Sequence, residues 1–140
     1  MHQHAIKERP PPRIVVSESD HSRLTGLAEA ALDRLPDAAG SLLAGMDRAV
    51  VAPPGKVPAN VVRMGSQVTL EGHEGPHRIV LVYPGEADIA SGRISVLTPM
   101  GAALIGAKVG QSISWATRDG RRLSARIAAV DTPPAEGRVQ

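Results

Sequence analysis

The stretch Gly92-Arg93-Ile94-Ser95-Val96-Leu97-Thr98-Pro99-Met100-Gly101-Ala102-Ala103-Leu104-Ile105-Gly106 decides how the chain folds, because its texture changes in the middle. Arg93 to Leu97 is a short β-branched and apolar run and reads as a strand. Thr98 then offers a hydroxyl as a helix cap, and Pro99 takes the first helical position, where a missing N–H costs nothing. The helix runs through Leu104, and Gly106 lies beyond its end. Further runs of the same strand type flank this one: Gln67 to Leu70, Arg78 to Tyr83, Ser112 to Thr117 and Leu123 to Val130. Asp119-Gly120 between the last two is a hairpin signal, since a type I′ turn needs positive φ at both central positions. One short helix against an antiparallel sheet is an α+β domain, expected over 67–131.

Upstream the period becomes helical. Leu24, Leu27, Ala28, Ala31, Leu32 and Leu35 share one stripe, and Ser17 with Asp20 three residues later forms a capping arrangement. Pro36 is expected to stop this helix. A second helix is expected from about Ala39 to Val51, with Leu42, Leu43, Met46, Ala49 and Val50 on its apolar side, until Pro53-Pro54-Gly55 breaks it. The short connection predicts a short antiparallel helical hairpin over 17–52, its first helix of about 16 residues reaching roughly 24 Å. Residues 53–66 are expected to be a linker. Residues 1–16, which include Pro10-Pro11-Pro12, and residues 132–140 read as flexible tails.

Composition narrows the chemistry. The chain has 140 residues, 42% of them apolar, with no Phe, one Tyr and one Trp, so a pocket that grips its ligand with aromatic rings is not expected. With no Cys there is no disulfide, no thiolate nucleophile and no cysteine zinc site. No apolar run approaches the roughly 20 residues that span a bilayer, and the first residues lack a signal-peptide core, so the expected location is the cytoplasm and no membrane partner is expected. The net charge of +2, 16 Lys and Arg against 14 Asp and Glu, comes from Arg residues scattered from Arg9 to Arg138, so sequence-specific nucleic-acid binding is not expected. His73, Glu74 and His77 fall close together, as do His2 and His4, but neither set reaches the ligand count of a zinc site. No metal and no cofactor is expected.

The elements Val68-Thr69-Leu70, Ile79-Val80-Leu81-Val82, Glu86-Ala87-Asp88-Ile89, Gly92-Arg93-Ile94-Ser95-Val96, Thr98 to Gly106 with the pattern P-x-x-x-A-L-x-G, and Lys108-Val109-Gly110 resemble, in this order, the C-terminal domain of the Gre transcription factors. That resemblance covers about 70 residues and implies an FKBP-like α+β fold. The whole chain resembles the Rnk-type regulators of nucleoside diphosphate kinase, in which a shortened hairpin precedes the Gre-like domain. Met46-Asp47-Arg48-Ala49, Pro58, Val61-Val62, Met64, Ser66, Val82-Tyr83-Pro84 and Ile113-Ser114-Trp115 carry that likeness. Gly45, where an acid is expected, and Asn60, in place of the commoner Asp, depart from it.

In Gre factors, the resemblance implies, a long coiled coil enters the secondary channel of RNA polymerase and presents acids that help hold a magnesium ion for transcript cleavage. Here the corresponding tip carries Asp33 and Asp37 on helices about half the length needed, so no cleavage and no enzymatic activity is expected. The segment after the third strand implies docking at the rim of the polymerase channel through Leu97, Thr98, Pro99, Met100, Ala103 and Leu104, unless Leu97, Ala103 and Leu104 simply pack the core. Asp33 and Asp37 could approach the channel mouth and act through their charge, but they read more readily as ordinary solvated loop acids, with Asp37 initiating the second helix. The expected function is that of a non-catalytic transcription regulator bound to RNA polymerase. The alternative is control of nucleoside diphosphate kinase and nucleotide levels, directly or indirectly, although no G-x-x-x-x-G-K phosphate loop is present. Prolyl isomerase activity, suggested by fold alone, lacks its aromatic lining. Trp115 reads as core or as surface anchor.

Overall fold

The computed structural model of the chain describes residues 14–72, 75–117 and 119–132. The elements in chain order are β1 (Val15–Ser17), α1 (Glu18–Ala31), α2 (Pro36–Arg48), β2 (Val50–Ala52), β3 (Gln67–Gly72), β4 (Gly75–Val82), β5 (Arg93–Ser95), α3 (Pro99–Leu104), β6 (Ser112–Ala116) and β7 (Arg122–Asp131). Two 3-10 turns, Pro84–Glu86 and Ile89–Ser91, lie between β4 and β5. The architecture is α+β: an antiparallel helical pair followed by a sheet that carries one short helix.

Ser17 caps α1 as its position predicts, its Oγ accepting from the backbone N–H of Asp20 at 3.2 Å. Leu24, Ala28 and Ala31 meet Ala39, Leu42 and Met46 across the pair, all buried, and the three alanines among them let the backbones approach closely. His21 Nε2 donates to the carbonyl of Met46 at 3.1 Å, tying the start of α1 to the end of α2. Leu32 and Leu35, expected on the buried stripe, are each 38% exposed instead, because α1 ends at Ala31 and the chain turns there, with Arg34 N and Leu35 N both donating to Ala31 O. Pro36 does not only follow the first helix; it opens the second at its first position.

Val50 and Val51 are not helical as expected but form β2, which pairs in parallel with β1. The expected tail through residue 16 is therefore too long by three residues: Ile14 and Val16 are core, 6% and 2% exposed. Ile14 O accepts from Val50 N, and Val15 N donates to Gly106 O, so this small sheet joins the hairpin to the end of α3. The expected linker is also partly core, since Val61 and Val62 are buried and Val62 exchanges bonds with Gly106 and Ala107.

The main sheet has the order β5-β4-β3-β7-β6. Its pairs are antiparallel except β4 with β5, where Val80↔Arg93, Leu81↔Ile94 and Val82↔Ser95 run parallel. The sheet is antiparallel as read from the sequence except at this edge, where the connection through the two 3-10 turns carries the chain back so that β5 runs in the same direction as β4. The β6–β7 hairpin closes with Thr117 N donating to Arg121 O and Gly120 N to Thr117 O, so its loop is longer than the two-residue turn expected, with Gly120 at φ +86. Val68, Leu81, Val96, Leu104, Ile105 and Ile127 form the centre of a core continuous with the hairpin's. His2, His4, Pro10 to Pro12, His73, Glu74 and residues 133–140, read above from the sequence, lie outside the described residues.

Candidate functional site: the α3 segment and the groove beside it

Thr98 sits between the end of β5 and α3 and is held from both sides. Its hydroxyl donates to Ser95 O at 2.7 Å and accepts from Gly101 N at 3.0 Å. Leu97 N donates to Ser95 Oγ at 2.9 Å, and Val96 N to Val82 O at 2.9 Å. The segment thus has little freedom left to lose on binding. Of the six residues read from the sequence, Pro99 is exposed, Thr98, Met100 and Ala103 are half-buried, and Leu97 and Leu104 are buried in the core. Leu97 and Leu104 hold the segment from beneath while Pro99 and its half-buried neighbours form its outer surface.

Gly101, which the sequence reading passed over, determines how close α3 comes to the sheet. A Cβ there would stand 2.1 Å from Ser95 O and 2.8 Å from Val96 Cα. Gly106, at φ +82, would place a Cβ 2.6 Å from Ile14 Cβ. Gly101 lets α3 lie flat against the backbone of Ser95 and Val96, and Gly106 lets the chain after α3 pass the Ile14 side chain. The only local clue was one glycine inside a very short helix and another just beyond its end.

Beside this segment lies a groove of about 910 Å³. One wall is α2 with the hairpin tip, the other is β6, and Thr98, Pro99, Ala102 and Ala103 stand at its margin. Ile14, Leu35, Ile105 and Ile113 supply apolar surface, and Trp115, half-buried on β6, lines it as well, so Trp115 serves both core and surface. Gly45 belongs to the same wall and is buried; a Cβ there would stand 3.5 Å from Ile14 Cδ1, so an acid at this position would start out against an isoleucine.

Asp33 and Asp37 are both exposed at the tip, Asp37 in the first turn of α2, where a negative charge favours the helix end. Among the described residues no group of His, Asp and Glu is arranged to hold a metal ion.

A further contact between the hairpin and the chain beyond β4 is made by Arg23 and Tyr83. The Arg23 guanidinium lies 4.4 Å from the ring centroid of Tyr83. Burial raises the carboxyl of Asp20 above its usual range, against the opposing pull of Arg63 and Arg23. Burial likewise raises the Tyr83 phenol, helped by the charge of Asp20. Asp119 is shifted the other way, lowered by the hydroxyl of Thr117 and by the backbone N–H of Arg121.

Residues 57–132 match the family described as transcription elongation factor GreA/GreB, C-terminal, and residues 12–51 match the Rnk N-terminus. The chain is an Rnk-type member of the GreA/GreB family. It is 34% identical over 126 residues to a regulator of nucleoside diphosphate kinase from Escherichia coli K12, covering 88% of this chain and 92% of that one. It is 39% identical over 114 residues to the transcription elongation factor GreA of Rhodospirillum rubrum, covering 76% and 73%. Among solved structures, a prokaryotic GreA/GreB elongation factor from Nitrosomonas europaea superposes with a TM-score of 0.71 at 33% identity, covering 85% of this chain and 99% of that one. The Gre-like region found by family matching contains the whole of the main sheet and α3, and the Rnk-type region contains β1, the hairpin and the first residues of β2.

Proposed function

We propose that the chain is a non-catalytic regulator of transcription that docks on bacterial RNA polymerase at the rim of the secondary channel, through the outer surface of the Thr98–Ala103 segment. The observation that carries this reading is the fixed geometry of that segment, cross-linked by Ser95 and Thr98 and topped by an exposed proline with half-buried Thr98, Met100 and Ala103 around it. A small, rigid, weakly charged surface suits a protruding partner, because little entropy is lost when it is covered.

Hairpin length supports the absence of cleavage. α1 has 14 residues and α2 has 13, about 21 Å and about 20 Å at the rise of an α-helix. Asp33 and Asp37 then stay near the channel mouth, where their charge acts without reaching the reacting phosphate. No helix among the described residues is long and apolar enough to cross a membrane, and the site of action is the cytoplasm, where the polymerase is.

Binding to purified bacterial core RNA polymerase tests the proposal. The wild-type protein binds, and Pro99→Asp, which puts a charge on the surface that must be desolvated, binds at least about tenfold more weakly. Equal binding by both proteins contradicts the assignment of the surface. A second reading follows from the description of the Escherichia coli relative: control of nucleoside diphosphate kinase, directly or through transcription. A change in activity of purified kinase on adding this protein, with no polymerase present, decides for the direct form.

A further inference from the structure

One wall of the groove is an open sheet edge. In the β6–β7 hairpin Thr117 N donates to Arg121 O at 2.8 Å, and at the other end Ile127 N donates to Gln111 O at 2.9 Å. Hydrogen-bonded and non-hydrogen-bonded pairs alternate along an antiparallel ladder. With the register Ser112↔Arg126 to Ala116↔Arg122, Ile113 and Trp115 therefore bond to β7, whereas the N–H and C=O of Ser112, Ser114 and Ala116 face away from the sheet. β6 is the last strand in the order, and these three amides have no backbone partner among the described residues.

Edge strands are ordinarily defended by a charge, a proline or a bulge. Ser112-Ile113-Ser114-Trp115-Ala116 has none, and its pairing with β7 is regular throughout. The facing wall is positive: Arg34 and Arg48 line the groove from the hairpin, Arg122 adds a third guanidinium from the strand side, and Asp37 is the one acid among the lining residues. Neither Arg34 nor Arg48 forms an ion pair with a described residue; Arg48 makes only a 3.4 Å bond to Ala44 O.

We infer that the groove takes an acidic segment of a partner protein in extended conformation, added to β6 as a further strand. Main-chain bonds to Ser112, Ser114 and Ala116 supply affinity, and carboxylates facing Arg34 and Arg48 supply selectivity. This deepens the docking reading and rests on it, since Thr98 and Pro99 stand at the margin of the same groove. A second copy of the chain brings an edge with the same positive surroundings, and the chain's own residues 2–13 carry Lys7, Arg9 and Arg13 against Glu8, so both have the wrong charge.

The test uses the full chain with a ten-residue peptide alternating Glu and Val, a Lys–Val peptide as the control of sign, and bacterial core polymerase in a separate titration. The Glu–Val peptide binds and slows amide exchange at Ser112, Ser114 and Ala116, and the Lys–Val peptide does not bind. Arg34→Glu with Arg48→Glu weakens binding of the Glu–Val peptide at least tenfold. Ser114→Pro, which removes one outward N–H and leaves the β6–β7 bonds in place, weakens it as well. Equal binding of both peptides, unchanged exchange at the three amides, or a dimer of the protein that protects them without peptide overturns the inference. Polymerase binding unaffected by the double charge reversal also overturns it and leaves the docking surface standing. Peptide binding without polymerase binding retires the docking reading alone.

Discussion

Gly101 is the third residue of α3, and its missing side chain lets the helix rest on the backbone of Ser95 and Val96. A methyl group 2.1 Å from a carbonyl oxygen is not accommodated by rotating a side chain, because the obstacle is main chain. Gly101→Ala is expected to lower stability by about 2–3 kcal/mol in urea unfolding, the usual range for overpacking, although alanine is the better helix former. Loss of only a few tenths means that α3 can lift at little cost to the fold. On the docking reading, a lifted α3 moves Pro99, and polymerase binding falls even though stability is kept. The cap at Thr98 was legible from its residue type and spacing, and its two hydrogen bonds are the ones such a cap makes. Gly101 was not, because its necessity arises from a contact with another element and not from its neighbours in sequence. Leu97 and Leu104 were ambiguous for a related reason: composition marks an apolar residue, and only the fold says which side of the helix faces the core.

Elements with strong periods were legible, with ends shifted by a few residues. α1, α2, α3 and the five main strands all fall where the patterns place them. The three-residue strands β1 and β2 were not visible, since three residues carry no period and their parallel pairing joins chain segments separated by the whole hairpin. The parallel pairing of β5 escaped for the same reason. Between elements, the Arg23–Tyr83 contact is the one that ties α1 to the end of β4 from outside the core. Arg23→Ala is expected to lower stability by about 1 kcal/mol, with Arg23→Lys intermediate, because a stacked guanidinium covers more of the ring than an ammonium group. The check is thermal unfolding of the three proteins side by side. Equal midpoints mean that the hairpin is oriented by its buried faces alone.

At the scale of the whole molecule, a continuous core runs from Leu24 and Leu42 in the hairpin to Leu104 and Ile127 beneath the sheet. The hairpin is therefore held in a fixed relation to the α3 segment, with Ile14 packed between them. On the proposed reading, the Thr98–Ala103 segment is the docking surface and the exposed acids Asp33 and Asp37 stay short of the reacting phosphate. Family and fold were legible as a whole from the ordered motifs between Val68 and Gly110; the groove and its charge were not, because Arg34, Arg48 and Arg122 meet only in three dimensions. The measurement that tests the central claim most directly is RNA cleavage in stalled polymerase complexes supplied with a cleavage-active GreA, as this protein is titrated in. The expected result is no cleavage by this protein alone and a progressive loss of the GreA-stimulated cleavage as the shared docking site fills, with Pro99→Asp requiring about tenfold more protein for the same effect. Cleavage stimulated by this protein alone, or GreA activity that persists at saturating concentration, contradicts it.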